Sequence, residues 1–156
     1  MKARLIYFFR TFVAPLFQNN YNIAMEQKYR HKHTSVSLVN YRFIWCPRYR
    51  RKVLVGPVET RLRRLIQEVA EKLDLEVLAL EIMPDHLHLF VNAPPTLAPH
   101  DIVARLKGVS SHHLRREFDH IARMPSMWTR SYFVSTAGNV SSETVRKYIE
   151  MQKKRG

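Results

Sequence analysis

The sequence predicts an α+β fold of the ferredoxin-like, RRM-like type: an antiparallel sheet with two helices on one face. Three observations predict it. The 156 residues are 46% hydrophobic, which suits one compact domain with a real core. Along the chain, segments with the apolar alternation of a strand are interspersed with segments whose apolar residues recur at helical spacing. Their order, β-α-β-β-α-β, is that of the split βαβ pattern, and one further helix follows it.

The first half of this pattern contains two strands and a helix. Residues 34–45 are rich in β-branched and aromatic side chains and predict a strand. The Gly56-Pro57 pair then marks a loop. Apolar residues recur at helical spacing through residues 58–73, so a helix is expected there. Residues 75–83 predict the second strand.

The second half repeats the arrangement. Pro84-Asp85 predicts a tight turn into a third strand over residues 86–92. Residues 100–118 predict a second helix, and residues 132–136 a short fourth strand. A last helix is expected to run from a cap near Ser141 to about residue 153, beyond a glycine-containing joint.

The charge of the chain predicts a polyanionic partner. Lys and Arg number 26 against 13 Asp and Glu, which gives a formal net charge of +13. Nucleic acid is the usual partner of such a protein. The single cysteine, Cys46, excludes an internal disulfide and a CxxC zinc site. We therefore expect a reducing, cytoplasmic location.

The amino end has a composition of its own. An apolar stretch after Lys2 is interrupted by Arg10, so it is too short to span a bilayer and is a poor signal peptide. No other segment predicts a membrane span. We expect residues 1–30 to be an extension outside the fold, with Met25 as a candidate start, and residues 31–156 to form the domain.

Two histidines lie two residues apart in the third predicted strand. Successive side chains of a strand point to opposite faces, so His86 and His88 share one face and Leu87 and Leu89 the other. If the helices cover the leucine face, the histidines lie on the open face. The pair either fills polar roles in an ordinary sheet or binds a metal together with a third ligand.

A tyrosine and a glutamine lie one turn apart in the last predicted helix. Tyr148 and Gln152 share a helix face, and Lys147 and Lys153 surround them with positive charge. Cations favour the phenolate and attract phosphate, and the Gln152 carbonyl suits Mg²⁺ or Mn²⁺. The alternative is that Tyr148 simply packs in the core.

Basic residues occur beside aromatic ones at several further places. This combination suits single-stranded nucleic acid, whose bases are free to stack. The alternative is a solvated basic surface. The candidate DNA-binding residues, with the two lysines of the last helix, are Arg48, Arg50, Arg51, Lys52, Lys107, Arg115, Arg116, Arg130, Lys147 and Lys153.

Several ordered motifs together resemble a known family. They are HLH after a Pro-Asp turn, a KG-S-S segment from Lys107, W-x-R-S-Y-F-V-x-T-x-G from Trp128, and KYIEMQ near the end. In this order they resemble the single-tyrosine HUH transposases of bacterial insertion sequences that move as single-stranded DNA. The resemblance covers about residues 33–155.

The resemblance implies a specific enzyme. His86, His88 and Gln152 would hold a divalent metal, Mg²⁺ or Mn²⁺, and Tyr148 would be the nucleophile of a single-strand endonuclease and strand transferase. Nicking would leave a 5′-phosphotyrosine and a 3′-hydroxyl. The partners implied are single-stranded DNA hairpins at element ends and a second copy of the chain in a homodimer, with no membrane and no small-molecule substrate.

Two other functions remain compatible with the same residues. A non-catalytic single-stranded nucleic-acid-binding protein would use the basic and aromatic surface but would need neither metal nor Tyr148. A domesticated HUH nickase acting on repeated genomic hairpins would share the histidines and the tyrosine. Only the DNA substrate separates this nickase from a transposase.

Overall fold

The computed structural model describes residues 29–136 of the chain. The strands in this range are β1 Arg30–Lys32, β2 Ser35–Ser37, β3 Val39–Trp45, β4 Glu76–Met83, β5 His86–Ala93 and β6 Phe133–Thr136. The helices are α1 Pro57–Lys72, α2 Pro99–Glu117 and α3 Asp119–Ala122, and a 3-10 turn covers Arg48–Arg50. The predicted last helix, with Tyr148 and Gln152, lies outside the described residues.

The main sheet has the strand order β4-β5-β3-β6, and each neighbouring pair is antiparallel. Strands β3 and β5 are therefore the inner strands. With α1 between β3 and β4 and α2 between β5 and β6, this is the predicted ferredoxin-like arrangement. The fold prediction is confirmed for the described residues.

The predicted strand over residues 34–45 is divided into two. Strand β2 leaves the main sheet and pairs with β1 in a separate two-stranded hairpin, with His31 opposite Val36. The sequence did not predict β1, because a run of basic residues has no apolar alternation. Val36 is 62% exposed, so this hairpin lies on the surface.

The core lies between the sheet and helices α1 and α2. Leu87, Leu89 and Val91 of β5 are fully buried in it, as predicted. Facing them are side chains at helical spacing, among them Leu62 and Ile66 of α1 and Leu106 of α2. Each such side chain stabilises the fold by about 1.5–3 kcal/mol through burial, so this face fixes the register of β5.

Two short connections determine where the functional residues lie. Gly56 adopts φ +56°, which glycine allows without strain, and Pro57 then begins α1 at a position where its missing N–H costs nothing. The Pro84-Asp85 turn joins β4 to β5 and places Met83 opposite His86.

No helix within residues 29–136 is long and apolar enough to cross a membrane.

Candidate functional site

His86 and His88 lie on the face of β5 opposite the core leucines, as the alternation predicts. Both are buried, at 4% and 8% exposure, so the expectation of an open face is wrong. Ile44 of β3 and Asn92 of β5, which share this face, are buried with the histidines, so the face is covered and not open. Ile44 of β3 and Glu81 of β4 lie directly opposite His88.

Asp85 and Arg50 fix the orientation of His86. The Nδ1 atom of His86 lies 2.7 Å from a carboxylate oxygen of Asp85, whose other oxygen accepts a 2.6 Å hydrogen bond from Arg50. Burial alone would raise the pKa of Asp85, but the hydrogen bonds from His86 and Arg50 hold it below its ordinary value. An ionised carboxylate only accepts, so Nδ1 donates and Nε2 of His86 is the nitrogen that can bind a metal.

His88 is held in its neutral form. Burial, together with the neighbouring His86 and Arg42, lowers the pKa of His88 to about 4. At neutral pH one of its two ring nitrogens therefore carries the lone pair that a metal requires.

The two imidazoles are close enough to share one cation. Their ring centroids are 5.1 Å apart, with an interplanar angle of 75°. Within residues 29–136 no group of three His, Cys, Asp or Glu side chains could hold a metal ion. A metal bound by the two histidines would therefore need a third ligand of another type or from elsewhere. The predicted ligand Gln152 and the predicted nucleophile Tyr148 lie outside the described residues.

Four of the predicted DNA-binding residues lie in one segment after β3. Arg48 and Arg50 belong to the 3-10 turn, where Arg50 is the partner of Asp85. Arg51 and Lys52 follow and are exposed. This segment is therefore both a cationic surface and a support of the histidine site.

Lys107 and Arg115 bind main-chain carbonyls instead of facing solvent. Lys107 Nζ donates to the carbonyl oxygen of Thr129 at 2.7 Å, and burial lowers its pKa. Arg115 donates to the carbonyls of Ala122 and Met124, at 3.1 and 2.8 Å. Both side chains hold the segment that leads from α2 to β6, and any contact of theirs with DNA stays a prediction.

The other predicted DNA-binding residues are spread over the chain. Arg116 and Arg130 are exposed. Arg116 lies beside His112, at 3.5 Å. Lys147 and Lys153 lie outside the described residues, so their part in DNA binding stays a prediction.

Two of the sequence motifs contact each other. Trp128 Nε1 donates to Ser110 Oγ at 3.0 Å, and Ser110 Oγ donates to the Leu106 carbonyl at 2.6 Å. Together with the Lys107 contact to Thr129, these bonds join the KG-S-S motif to the W-x-R-S motif. In the described residues both motifs support the structure.

Sequence reasoning missed Asp85 as a functional residue. The sequence predicts it only as half of a turn, although an acidic residue directly before a candidate metal-binding histidine is a signal. The link to Arg50 spans 35 positions and could not be predicted from sequence, because it depends on how the turn after β3 meets the β4–β5 turn.

Known proteins match this chain over most of its length. Residues 35–152 match the family described as "Transposase IS200 like". The ISDra2 transposase TnpA of Deinococcus radiodurans is 35% identical over 117 residues, which cover 73% of this chain and 84% of that protein. The transposase for insertion sequence element IS200 of Salmonella typhimurium is 27% identical, covering 72% of this chain and 75% of the relative.

Solved structures agree with the sequence comparison. A crystal structure of a Deinococcus radiodurans protein assigned to the transposases is 33% identical, with a TM-score of 0.65, and covers 79% of this chain and 97% of its own. A REP-associated tyrosine transposase bound to a REP hairpin shares the fold at 17% identity and a TM-score of 0.52, covering 77% and 67%. This chain belongs to the family of IS200-like transposases.

Proposed function

We propose that this transposase nicks and rejoins single-stranded DNA at hairpin-bearing element ends through a 5′-phosphotyrosine on Tyr148. The observation that carries the proposal is the buried pair His86 and His88, with Asp85 orienting the first ring at 2.7 Å. The family match extends through residue 152 and so includes both Tyr148 and Gln152, which supports their roles.

The donor set suits a divalent cation, Mg²⁺ or Mn²⁺. Nε2 of His86 and a ring nitrogen of the neutral His88 would be two ligands, and the Gln152 carbonyl oxygen the third. When bound, the cation polarises the scissile phosphate and offsets the charge that develops on it. Asp85 keeps the His86 ring in place and in the correct tautomer, and Arg50 keeps Asp85 in place.

The tyrosine carries the covalent step. The Tyr148 phenol oxygen attacks the scissile phosphorus, and the bond from phosphorus to the 3′ oxygen breaks. The phenol gives up its proton, the 3′ oxygen takes up one proton and leaves as a hydroxyl, and the 5′ phosphate stays on Tyr148, so no net proton is gained or lost. A 3′-hydroxyl later attacks this linkage, re-forms the phosphodiester and releases the phenol, so no external energy source is needed.

The DNA partner follows from charge and from relatives. A net charge of +13 suits a polyanion, and the exposed cations Arg51, Lys52, Arg116 and Arg130 supply contacts for phosphates. One structural neighbour was solved with a hairpin, which supports hairpin ends as the substrate. We also propose that two copies of the chain form a homodimer, as the resemblance implies.

The test is a covalent adduct on a denaturing gel. The full chain is incubated with single strands from the DNA that flanks its gene, in Mg²⁺ or Mn²⁺. We expect a protein–DNA adduct that Tyr148→Phe abolishes while hairpin binding remains. Tyr29→Phe, an exposed tyrosine of the described region, is the matched control and should keep the adduct.

Two results would contradict the proposal. An adduct that persists in Tyr148→Phe excludes this nucleophile, and full activity in EDTA excludes the metal. DNA binding by the native chain with no adduct at all would favour the non-catalytic binding protein. Cleavage of repeated genomic hairpins, without cleavage of the DNA next to the gene, would favour the domesticated nickase.

A further inference from the structure

The turn after β3 has an unusual backbone. Tyr49 and Arg50 adopt φ values of +59° and +52°, in the left-handed region that side chains other than glycine rarely occupy. Strain of this kind persists only where surrounding contacts hold it, and it is concentrated at functional positions. The Arg48 N–H donates to the Met127 carbonyl at 2.8 Å, and the Arg50 N–H to the Pro47 carbonyl at 2.9 Å.

The strained turn presents an aromatic ring to solvent. Tyr49 is 69% exposed, although a tyrosine ring usually gains by burial. The Arg48 guanidinium carbon lies 5.1 Å from the ring centroid, and an Arg48 nitrogen donates to the Tyr49 hydroxyl at 3.2 Å. Arg48 is itself held by Ser126, at 3.2 Å. The ring is therefore oriented by its neighbours while its surface stays accessible.

The same turn borders the histidine site. Arg50 reaches Asp85 at 2.6 Å, and Asp85 holds His86. A few residues later, the Leu54 N–H donates to the Pro84 carbonyl at 3.0 Å. The segment from Arg48 to Leu54 therefore runs along the Pro84-Asp85 turn that begins β5.

The charge and the aromatic ring of residues 48–52 together favour single-stranded nucleic acid as the binding partner of this turn. Residues 48–52 read RYRRK, four cations around one ring; Arg50 is paired with Asp85, and Arg51 and Lys52 are exposed. Cations bind backbone phosphates, and an exposed ring between them stacks on a base. An acidic peptide would satisfy the cations but would leave the ring without a flat partner.

We propose that Tyr49 is a stacking platform for one base of single-stranded DNA, next to the phosphate that is cleaved at the histidine site. Arg51 and Lys52 contact the phosphates on either side of this base. The inference rests on the proposed function for the identity of the strand. It adds a binding position to the site.

The test separates stacking from charge. Fluorescence anisotropy is measured for a 20-nucleotide oligo(dT) and for an abasic 20-mer with the same number of phosphates. We expect Tyr49→Ala to weaken oligo(dT) binding by roughly five- to hundredfold, the usual range for one stacked base, and to change abasic binding by less than about twofold. Tyr49→Phe keeps the ring and should bind like the native chain.

Three controls sharpen the result. Tyr49→Gly removes the ring and also relaxes the left-handed backbone, so it should match Tyr49→Ala if the ring is what binds. Tyr29→Ala removes another exposed tyrosine and should have no effect. Arg51→Gln should weaken both oligonucleotides and reduce the salt dependence, by a slope of about 0.7 per lost phosphate contact.

The outcomes distinguish this inference from the proposed function. Equal loss on both oligonucleotides, or loss on neither, overturns the platform, and an adduct on Tyr148 would then still support cleavage. A selective loss on oligo(dT) without any adduct supports the platform and overturns the nicking reaction. When cleavage occurs, 5-iodouracil should photocrosslink to Tyr49 from a position beside the cleaved phosphate, and crosslinking only from distant positions contradicts the placement.

Discussion

Two histidine pairs in this chain have the same spacing but occupy different environments. His86 and His88 are buried on an inner strand, with fully buried Leu87 between them. His31 and His33 are exposed, in the two-stranded hairpin and its turn, with exposed Lys32 between them. The same spacing therefore places one pair in a buried strand anchored by its other face and the other pair in an exposed hairpin.

A carboxylate near each histidine pair also differs in its hydrogen-bond partners. Asp85 accepts a hydrogen bond from His86, which fixes the orientation and tautomer of the ring in the way that would suit the proposed metal site. Asp74, near the other pair, is instead bound by Arg30 at 2.8 Å and Lys32 at 3.1 Å. Its charge neutralises two side chains and fastens the hairpin to the domain.

The largest difference is expected in the stability cost of replacing the residue that lies between the two histidines of each pair. Leu87→Ala should lower the free energy of unfolding by about 2–5 kcal/mol, because it leaves a cavity in the core. Lys32→Ala should cost at most about 1 kcal/mol, since it removes an exposed ion pair. Urea unfolding of both variants measures this, and similar losses would contradict the contrast.

Replacing the two carboxylates should have different effects on the affinity of the protein for Mn²⁺. Asp85→Ala is expected to weaken Mn²⁺ binding by about 10–100-fold, the usual cost of losing a group that orients a metal ligand. Asp85→Asn keeps an acceptor and should lose less. Asp74→Ala is the matched control and should bind Mn²⁺ normally in a calorimetric titration. Native affinity in Asp85→Ala would remove Asp85 from the site.

The smallest effect is a pH dependence in the hairpin. Hydrogen bonds from Lys32 and Arg30 hold the pKa of Asp74 below its ordinary value. A lowered folded-state pKa means stability that is present at neutral pH and is lost as the pH falls below the unfolded value of about 3.9.

Asp74→Asn tests this dependence, because asparagine also tolerates the φ of +55° at this position. The native chain should exceed the variant in unfolding free energy by at most about 1 kcal/mol at pH 7, and the two should converge in acid. A difference that grows on acidification would contradict the assignment.

Much of the fold could be predicted from the sequence because its elements have strong periodicity. Leu62 and Ile66 recur at helical spacing, and Leu87 and Leu89 alternate with the histidines. Both patterns result from burial on one face. The hairpin of β1 and β2 could not be predicted, because its pairing depends on main-chain bonds between basic and polar residues that carry no apolar pattern.

The site was partly predictable for a related reason. The histidine pair follows from the period of a strand, but its burial, shared with Ile44 and Asn92 on the same face, does not follow from that period. The contacts of Arg50 with Asp85 and of Lys107 with Thr129 join distant segments. Such contacts depend on the packing of loops, which composition and spacing do not determine.

The most direct test of the account compares Mn²⁺ binding by the two histidine pairs. Calorimetric titration is carried out on the native chain, on the double variant His86→Ala/His88→Ala, and on His31→Ala/His33→Ala. We expect the first double variant to lose Mn²⁺ binding and the second to bind Mn²⁺ like the native chain. Native binding in His86→Ala/His88→Ala, or loss in His31→Ala/His33→Ala, would contradict it.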